Sequence, residues 1–166
     1  MTHALPYRTH NHAHCVTDAM DEARSLCQTA GTRLTQLRAQ ILELIWQSHR
    51  PLGAYDILAI LNDQGRKAAP PTVYRTLDFL QGMGLVHRIA SLNAFVGCSQ
   101  PSHNHNGCFL ICEECQNVLE LSADSIRQAI SKETGAQGFK VRETTLEIAG
   151  TCPACINKDG GKNGAQ

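Results

Sequence analysis

The 166-residue sequence has no net charge and no long apolar segment. Its 15 Lys and Arg residues balance 15 Asp and Glu residues, so it lacks the overall positive charge that attracts nucleic acid nonspecifically. The first residues, Met1 to Pro6, contain no apolar core of signal-peptide length, and no hydrophobic run is long enough to span a bilayer. We therefore expect a cytoplasmic protein without a membrane partner.

Charge is nevertheless distributed unevenly along the chain. Residues 32–88 contain seven Lys and Arg against four Asp and Glu, whereas residues 98–166 contain six against eight. We predict a disordered tail over 1–16, a mildly basic head over 17–97, a hinge and metal loop over 98–106, a second domain over 107–156 and a disordered tail over 157–166. Domains this small bury marginal cores, which favours a metal ion or a partner subunit.

The head is predicted to contain short helices followed by a hairpin. Apolar residues at helical spacing predict helices over 17–30, from Thr35 onward, over 54–62 and over 70–80, with Gly or Pro between them. Residues 85–89 and 94–96 have the character of two short strands joined by a turn. This order of elements is typical of a winged-helix domain.

The pattern changes after residue 98. We predict strands over 108–112 and 118–121, a helix capped by Ser122 or Asp124, and a final strand over 139–148. The chain as a whole is therefore predicted to be α+β, with a winged-helix head followed by a small α/β domain.

Two Cys-x-x-Cys pairs give the strongest chemical signal. Each pair places two thiolates within reach of one metal ion, and four thiolates make a closed tetrahedral zinc site. One pair adjoins the first strand of the second domain and the other follows its last strand, which favours a structural zinc ion over a redox pair or two independent thiol pairs. The four cysteines are Cys112, Cys115, Cys152 and Cys155.

A second group mixes nitrogen, sulfur and oxygen donors, which together suit zinc better than calcium or magnesium. Its members are His87, Cys98, His103, His105 and Glu120, on both sides of the domain boundary. An ion held by them would fix the angle between the two domains. Each residue alone also has an ordinary explanation: loop histidines, a strand histidine and a small buried cysteine.

The fourth helix is the expected DNA-reading helix, because the second helix of a helix-turn-helix enters the major groove. Arg75 is the candidate for contact with a guanine edge, while Thr72 and Tyr74 are suited to phosphate. Tyr55 starts the preceding helix. Residues expected to flank the duplex are Arg33, Arg66 and Lys67.

Several motifs together resemble the ferric uptake regulator family over about residues 20–156: Arg33-Leu-Thr-Gln-Leu-Arg38, Pro71-Thr-Val-Tyr-Arg-Thr-Leu77, Gly84-Leu-Val-His87 and the two cysteine pairs. Residues 54–58, 70–75 and 78–80 look most like its zinc uptake regulator branch. The resemblance implies a homodimer that binds double-stranded operator DNA upstream of zinc-uptake genes when zinc is plentiful.

The same resemblance implies two zinc ions per subunit. It assigns the four paired cysteines to structural zinc, and His87, Cys98, His103 or His105 or both, and Glu120 to a regulatory zinc ion, with Glu120 either a ligand or a partner of a ligand. Tyr55 and Arg75 match the positions from which the branch contacts purines.

The resulting hypothesis is a zinc-responsive repressor, neither an enzyme nor a binder of small organic substrates. A sibling sensor of iron, manganese or peroxide is the nearest alternative, but the Cys98 thiol favours zinc. A zinc hydrolase or deaminase is disfavoured because no His-x-Glu pair precedes a Cys-x-x-Cys. A thiol-based redox switch is the alternative from another class of protein.

Overall fold

The computed structural model describes residues 12–48, 50–101 and 107–160. The elements of the head, in chain order, are α1 His12–Thr29, α2 Gln36–Trp46, β1 Leu52–Gly53, α3 Ala54–Asp63, α4 Pro70–Gly82, β2 Val86–Ile89 and β3 Ala94–Gly97. Those of the second domain are β4 Cys108–Cys112, β5 Val118–Glu120, α5 Asp124–Ala136, β6 Leu146–Gly150 and α6 Pro153–Gly160. The predicted α+β class with a winged-helix head is confirmed. No helix within the described ranges is long and apolar enough to cross a membrane.

Local sequence signals explain where the helices of the head begin and end. The Thr35 side chain caps α2 by accepting a hydrogen bond from the Arg38 N–H at 3.4 Å. Two prolines, Pro70 and Pro71, occupy the first turn of α4, where the missing N–H groups would have had no helical partner. Gly31 follows α1 with a φ of 64°, a conformation that glycine adopts without strain.

The core of the head lies between the four helices and the two strands of the hairpin, β2 and β3. The predicted inward faces of α2, α3 and α4 are buried as expected, and Cys27 of α1 packs among them. The fully buried residues of these three helices are Ile41, Leu42, Ile45, Ile57, Leu61, Val73, Leu77 and Leu80. The hairpin, which forms the wing, joins β1 in an antiparallel sheet of order β1-β3-β2.

The second domain is built on a sheet of order β5-β4-β6, in which β5 is antiparallel and β6 parallel to β4. Phe109 at its centre pairs with Glu120 of β5 and with Glu147 of β6, so these three residues form one row on one face. The wing packs on this face through a separate apolar cluster composed of Ile89, Val96, Phe109, Ile111 and Val118. The two domains are therefore in direct contact.

Both segments predicted as tails overlap helices of the structure. Helix α1 begins at His12 and not near Thr17, so the expected disordered tail over 1–16 is wrong for residues 12–16. Val16 packs on the core one helical turn before the buried Met20, which extends the apolar stripe in that direction. At the other end, α6 runs from Pro153 to Gly160 into the predicted tail over 157–166, because the buried Cys155 anchors its first turn.

Three further details differ from the prediction. The final strand begins at Leu146 instead of residue 139, because β4 has only five residues and pairs with Leu146–Gly150 alone. Helix α5 is preceded by Ala123, which makes no side-chain capping bond, so neither Ser122 nor Asp124 is its cap. Strand β1 was not predicted, since its two residues are too short for any periodicity.

Candidate metal centres and nucleic-acid interface

The four paired cysteines converge at one end of the second domain. Cys112 ends β4, Cys115 lies in the following turn, Cys152 follows β6 and Cys155 lies in α6. Their sulfur atoms all lie within 4.8 Å of one another, and the Sγ atoms of Cys115 and Cys152 are 3.8 Å apart. A tetrahedral zinc ion about 2.3 Å from each sulfur spaces its ligands about 3.8 Å apart, so the donor set fits zinc.

The electrostatics of this cluster also favour a bound cation. Burial opposes ionisation of the Cys112 thiol, but N–H groups including that of Cys152, at 3.3 Å from Cys112 Sγ, lower its pKa to about 6. By contrast, the neighbouring Cys152 thiol and burial together raise the pKa of Cys155 to about 12. Adjacent thiolates repel each other, so a divalent cation is needed to hold all four ionised.

Three of the mixed donors converge across the domain boundary. His87 lies in β2 of the wing, Cys98 directly follows β3, and Glu120 ends β5 of the second domain. One donor atom from each lies within 4.8 Å of the others, and His87 Nε2 is 2.9 Å from Glu120 Oε1. The two predicted loop histidines, His103 and His105, lie outside the described residues.

Contacts around the mixed site hold its donors in place. The second carboxylate oxygen of Glu120 accepts hydrogen bonds from the Ser99 N–H at 2.9 Å and the Ser99 hydroxyl at 2.8 Å. The ring of Phe109 lies 5.2 Å from the His87 imidazole, centroid to centroid, and limits its orientation. Glu120 therefore contacts both the wing strand and the segment that leaves the wing.

The pKa values at this site are perturbed in opposite directions. Burial alone would raise the pKa of Glu120, but its contacts with His87 and Ser99 outweigh burial and lower the pKa to about 2. Burial and the nearby Glu120 carboxylate raise the pKa of the Cys98 thiol far above its usual value. A cation among these groups would counter the rise in the Cys98 pKa by favouring the thiolate, and it would pair with the Glu120 carboxylate that is already ionised.

The predicted DNA-reading residues lie on the exposed side of the head. Thr72, Tyr74 and Arg75 occupy positions of α4 that face solvent, opposite the buried Val73 and Leu77. Tyr55, at the start of α3, is 70% exposed. Its ring is therefore available to a partner.

The structure brings only some of these residues together. The rings of Tyr55 and Tyr74 meet edge to face with centroids 6.5 Å apart, so α3 and α4 present one aromatic pair. Arg33 lies in the loop before α2, and Arg66 and Lys67 lie in the loop between α3 and α4. Arg66 is half-buried while Arg33 and Lys67 are exposed.

Sequence reasoning missed several residues that support these sites. Ser99 holds the carboxylate of Glu120, Phe109 orients His87, and Trp46 packs against Gly97, which immediately precedes Cys98. Ser99 could have been suspected from its place beside Cys98. The pairing of Phe109 with Glu120 depends on strand register, which no local pattern in the sequence specifies.

Comparison with known proteins agrees with this architecture. Residues 29–149 match the model of the ferric uptake regulator family. The zinc uptake regulation protein of Escherichia coli (strain K12) is 34% identical over 142 residues, covering 84% of this chain and 82% of that protein.

Two solved structures extend the comparison. A zinc uptake regulator complexed with zinc and DNA matches with a TM-score of 0.83 at 32% identity, covering 87% of this chain and 97% of that one. The holo form of XcZur matches with a TM-score of 0.77 at 38% identity over 83% of this chain and 96% of that one, whereas its apo form reaches 0.50 over 85% of this chain. The chain belongs to the ferric uptake regulator family.

Proposed function

We propose that this chain is a zinc-responsive transcriptional repressor that binds operator DNA as a homodimer in its zinc-loaded form and represses zinc-uptake genes. The observation that carries the proposal is the convergence of His87, Cys98 and Glu120, donors from two domains, within 4.8 Å of one another. Such a site couples metal occupancy to the position of the DNA-reading head. The protein would act as a regulator in the cytoplasm, where the DNA is.

The mixed donor set supports zinc as the sensed metal. A thiol beside an imidazole and a carboxylate suits zinc, while iron and manganese sensing relies more on nitrogen and oxygen donors. Cys98 is buried, and its thiolate is strongly disfavoured without a cation, so the Cys98 thiol has little tendency to ionise when the metal is absent. We propose His103, His105 or both as the remaining ligand.

The coupling works through the wing. His87 and Cys98 lie on neighbouring strands at the open end of the β2–β3 hairpin, and Glu120 lies on the sheet against which that hairpin packs. When all three point at a common ion, the hairpin is fixed relative to the second domain, and with it α4 of the same head. A repressor of this kind needs the metal to favour the DNA-binding arrangement by about 1–3 kcal/mol or more. The structure of this chain matches the holo form of XcZur with a TM-score of 0.77 and the apo form with 0.50, which supports an arrangement of the two domains that is linked to metal.

The aromatic and basic residues of the head would make the DNA contacts. Tyr55, Thr72, Tyr74 and Arg75 lie on the exposed side of α3 and α4, with Arg75 suited to a guanine edge and Thr72 to phosphate. Residues proposed to approach the flanking backbone are Arg33, Arg66 and Lys67. The relative complexed with zinc and DNA supports double-stranded DNA as the partner.

A second copy of this chain is the proposed partner of the outer face of the second domain. Leu119, Leu110 and Ile148 pair across β5, β4 and β6, and they line a cleft of about 410 Å³ on the face away from the wing. Helix α5 has no buried residue, and Ile126 on it is 37% exposed. A second copy would cover these surfaces and set two heads at a fixed spacing, as reading two half-sites requires.

We propose a structural role for the four-cysteine site and therefore two zinc ions per subunit. Cys112 and Cys115 adjoin β4, and Cys152 and Cys155 flank the start of α6, so an ion held by them ties the beginning of the domain to its end. Four thiolates leave no open coordination position for a substrate, which supports a regulator over an enzyme.

The test is operator binding under buffered metal. Fluorescence anisotropy of a labelled duplex from a zinc-uptake promoter should report tight binding at high free zinc and weak binding when zinc is buffered away. Equal binding with iron or manganese in place of zinc would point to a sibling sensor, and binding that ignores all three metals would overturn the proposal. Sedimentation of the same samples gives the subunit count.

A further inference from the structure

A second acidic residue of the second domain, besides Glu120, contacts the wing. It lies on the other edge strand of the same sheet. Glu147 of β6 pairs with Phe109 of β4 in the same register as Glu120 of β5, so two carboxylates flank one phenylalanine on the face that packs against the wing. Phe109 is 1% exposed, and between the carboxylates it contributes to the apolar cluster that also contains Ile89 of the wing.

Glu147 binds the main chain of the wing turn. Its Oε1 accepts a hydrogen bond from the Ala90 N–H at 2.6 Å, and its Oε2 accepts one from the Ser91 N–H at 3.0 Å. Both donors come from the turn that joins β2 to β3. A carboxylate that accepts two backbone N–H groups makes stronger hydrogen bonds than a neutral acceptor does.

We propose that Glu147 is a positioning residue: it tethers the wing turn to the second domain without metal and thereby sets how much zinc is needed to complete the DNA-binding arrangement. The inference rests on the proposed zinc-dependent function of the mixed site. Strand β2 is short, and its two ends contact the two edge strands, β5 and β6, on the same face of one sheet. His87 lies near one end, beside Glu120, and Ala90 follows the other, beside Glu147.

Two attachments restrict the wing in a way that one cannot. A single contact at His87 would leave the hairpin free to pivot about the mixed site, whereas a second contact at the turn fixes its direction. Between them, Ile89 is completely buried in the interface cluster. Since Glu147 carries no role at the mixed site, its contribution is present before zinc binds, and the apo protein already samples part of the docked arrangement.

Removing this tether should raise the free zinc concentration required for DNA binding. The apparent affinity for zinc at the mixed site scales with the fraction of molecules that already hold the docked arrangement. Two charge-assisted hydrogen bonds to an exposed turn should change that fraction by about tenfold. The ligands themselves are untouched by the change.

The test uses Glu147→Ala and Glu147→Gln, with Glu143→Gln as a control that removes the same charge from an exposed position nearby. For each full-length chain, anisotropy of an operator duplex is measured against buffered free zinc. We expect the midpoint to rise about tenfold for Glu147→Ala, less for Glu147→Gln, which keeps one acceptor oxygen, and not at all for Glu143→Gln. Unchanged midpoints for both Glu147 variants would overturn the proposal.

Two further measurements separate this tether from general destabilisation and from the proposed function. The spectrum of Co²⁺ at the mixed site should be the same in all variants, because a positioning residue does not alter the ligand set. With zinc bound only at the four-cysteine site, hydrogen exchange at the Ala90 and Ser91 amides should be slow in the unaltered chain and fast in Glu147→Ala. If the unaltered chain binds no operator, the proposed function fails, and the exchange rates still decide whether the tether exists.

Discussion

Replacement of Gly97 by alanine should damage the mixed site from a distance of one residue. A Cβ built on Gly97 would lie 2.2 Å from Cε2 and 2.4 Å from Nε1 of Trp46, and nonbonded carbon atoms normally sit about 3.5–4.0 Å apart. The clash involves a rigid ring and not the end of a flexible chain. Either the indole or the end of β3 must move by about 1 Å or more, and Cys98 directly follows that strand.

The expected cost in free energy of unfolding is about 2–3 kcal/mol, the upper part of the range for inserting a carbon into a packed site. Chemical denaturation of the zinc-loaded protein, followed by circular dichroism, measures this change. The fluorescence of Trp46, the sole tryptophan, reports independently whether the ring has moved. Affinity for Co²⁺ at the mixed site should fall as well.

Gly82→Ala is the matched control for this substitution. A Cβ at Gly82 meets no atom within 4 Å, and Gly82 is the last residue of α4. The change should leave stability within about 1 kcal/mol of the unaltered chain. If Gly97→Ala were as stable as Gly82→Ala and bound Co²⁺ equally well, the proposed packing of Trp46 beside Cys98 would be refuted.

Three further predictions follow from the two metal sites and the head. Cys112→Ser should unfold the second domain and lower zinc content by one ion per subunit, because ligand binding there contributes to folding; mass spectrometry showing an unchanged zinc count would contradict a structural role. Arg75→Ala should weaken operator binding by about tenfold to a hundredfold with zinc content unchanged, as seen by anisotropy and metal analysis; an unaltered operator affinity would remove Arg75 from the interface. In the chain that holds zinc only at the four-cysteine site, the pKa of Glu120 near 2 against an ordinary 4.5 stabilises the fold above pH 4.5, and this contribution, at most about 3 kcal/mol, is lost as pH falls toward 2. Urea midpoints at pH 5.5 and 3 should therefore diverge less for Glu120→Gln than for the unaltered chain, and parallel losses in both would count against the assignment.

Much of the fold could be predicted because local rules dominate it. The helix starting after Thr35 and the helix starting at Pro70 carry both a boundary signal and an apolar face, and the structure confirms them almost to the residue. The paired cysteines converge as their spacing predicts. Errors arose where tertiary contacts set the boundary: Val16 extends α1 by packing on the core, and the length of β4 decides where β6 begins.

The donors of the mixed site could be proposed from residue type, but the way they are held could not. Ser99 and Phe109 support Glu120 and His87 through contacts that depend on how the wing docks on the sheet. The contact of Glu147 with the wing turn joins residues 56 and 57 positions apart in the sequence, and no periodicity or motif links them. Strand register and domain docking carry this information.

Zinc-dependent operator binding by the unaltered chain and by Cys98→Ser, compared at matched free zinc concentrations, tests the coupling of the mixed site to DNA most directly. We expect the unaltered chain to bind operator only after its second zinc ion per subunit has been taken up. Cys98→Ser should keep the first zinc ion and its dimeric fold but stay unable to bind operator at any zinc level. Tight zinc-dependent binding by Cys98→Ser, or full operator binding by the unaltered chain with one zinc ion per subunit, would contradict the account.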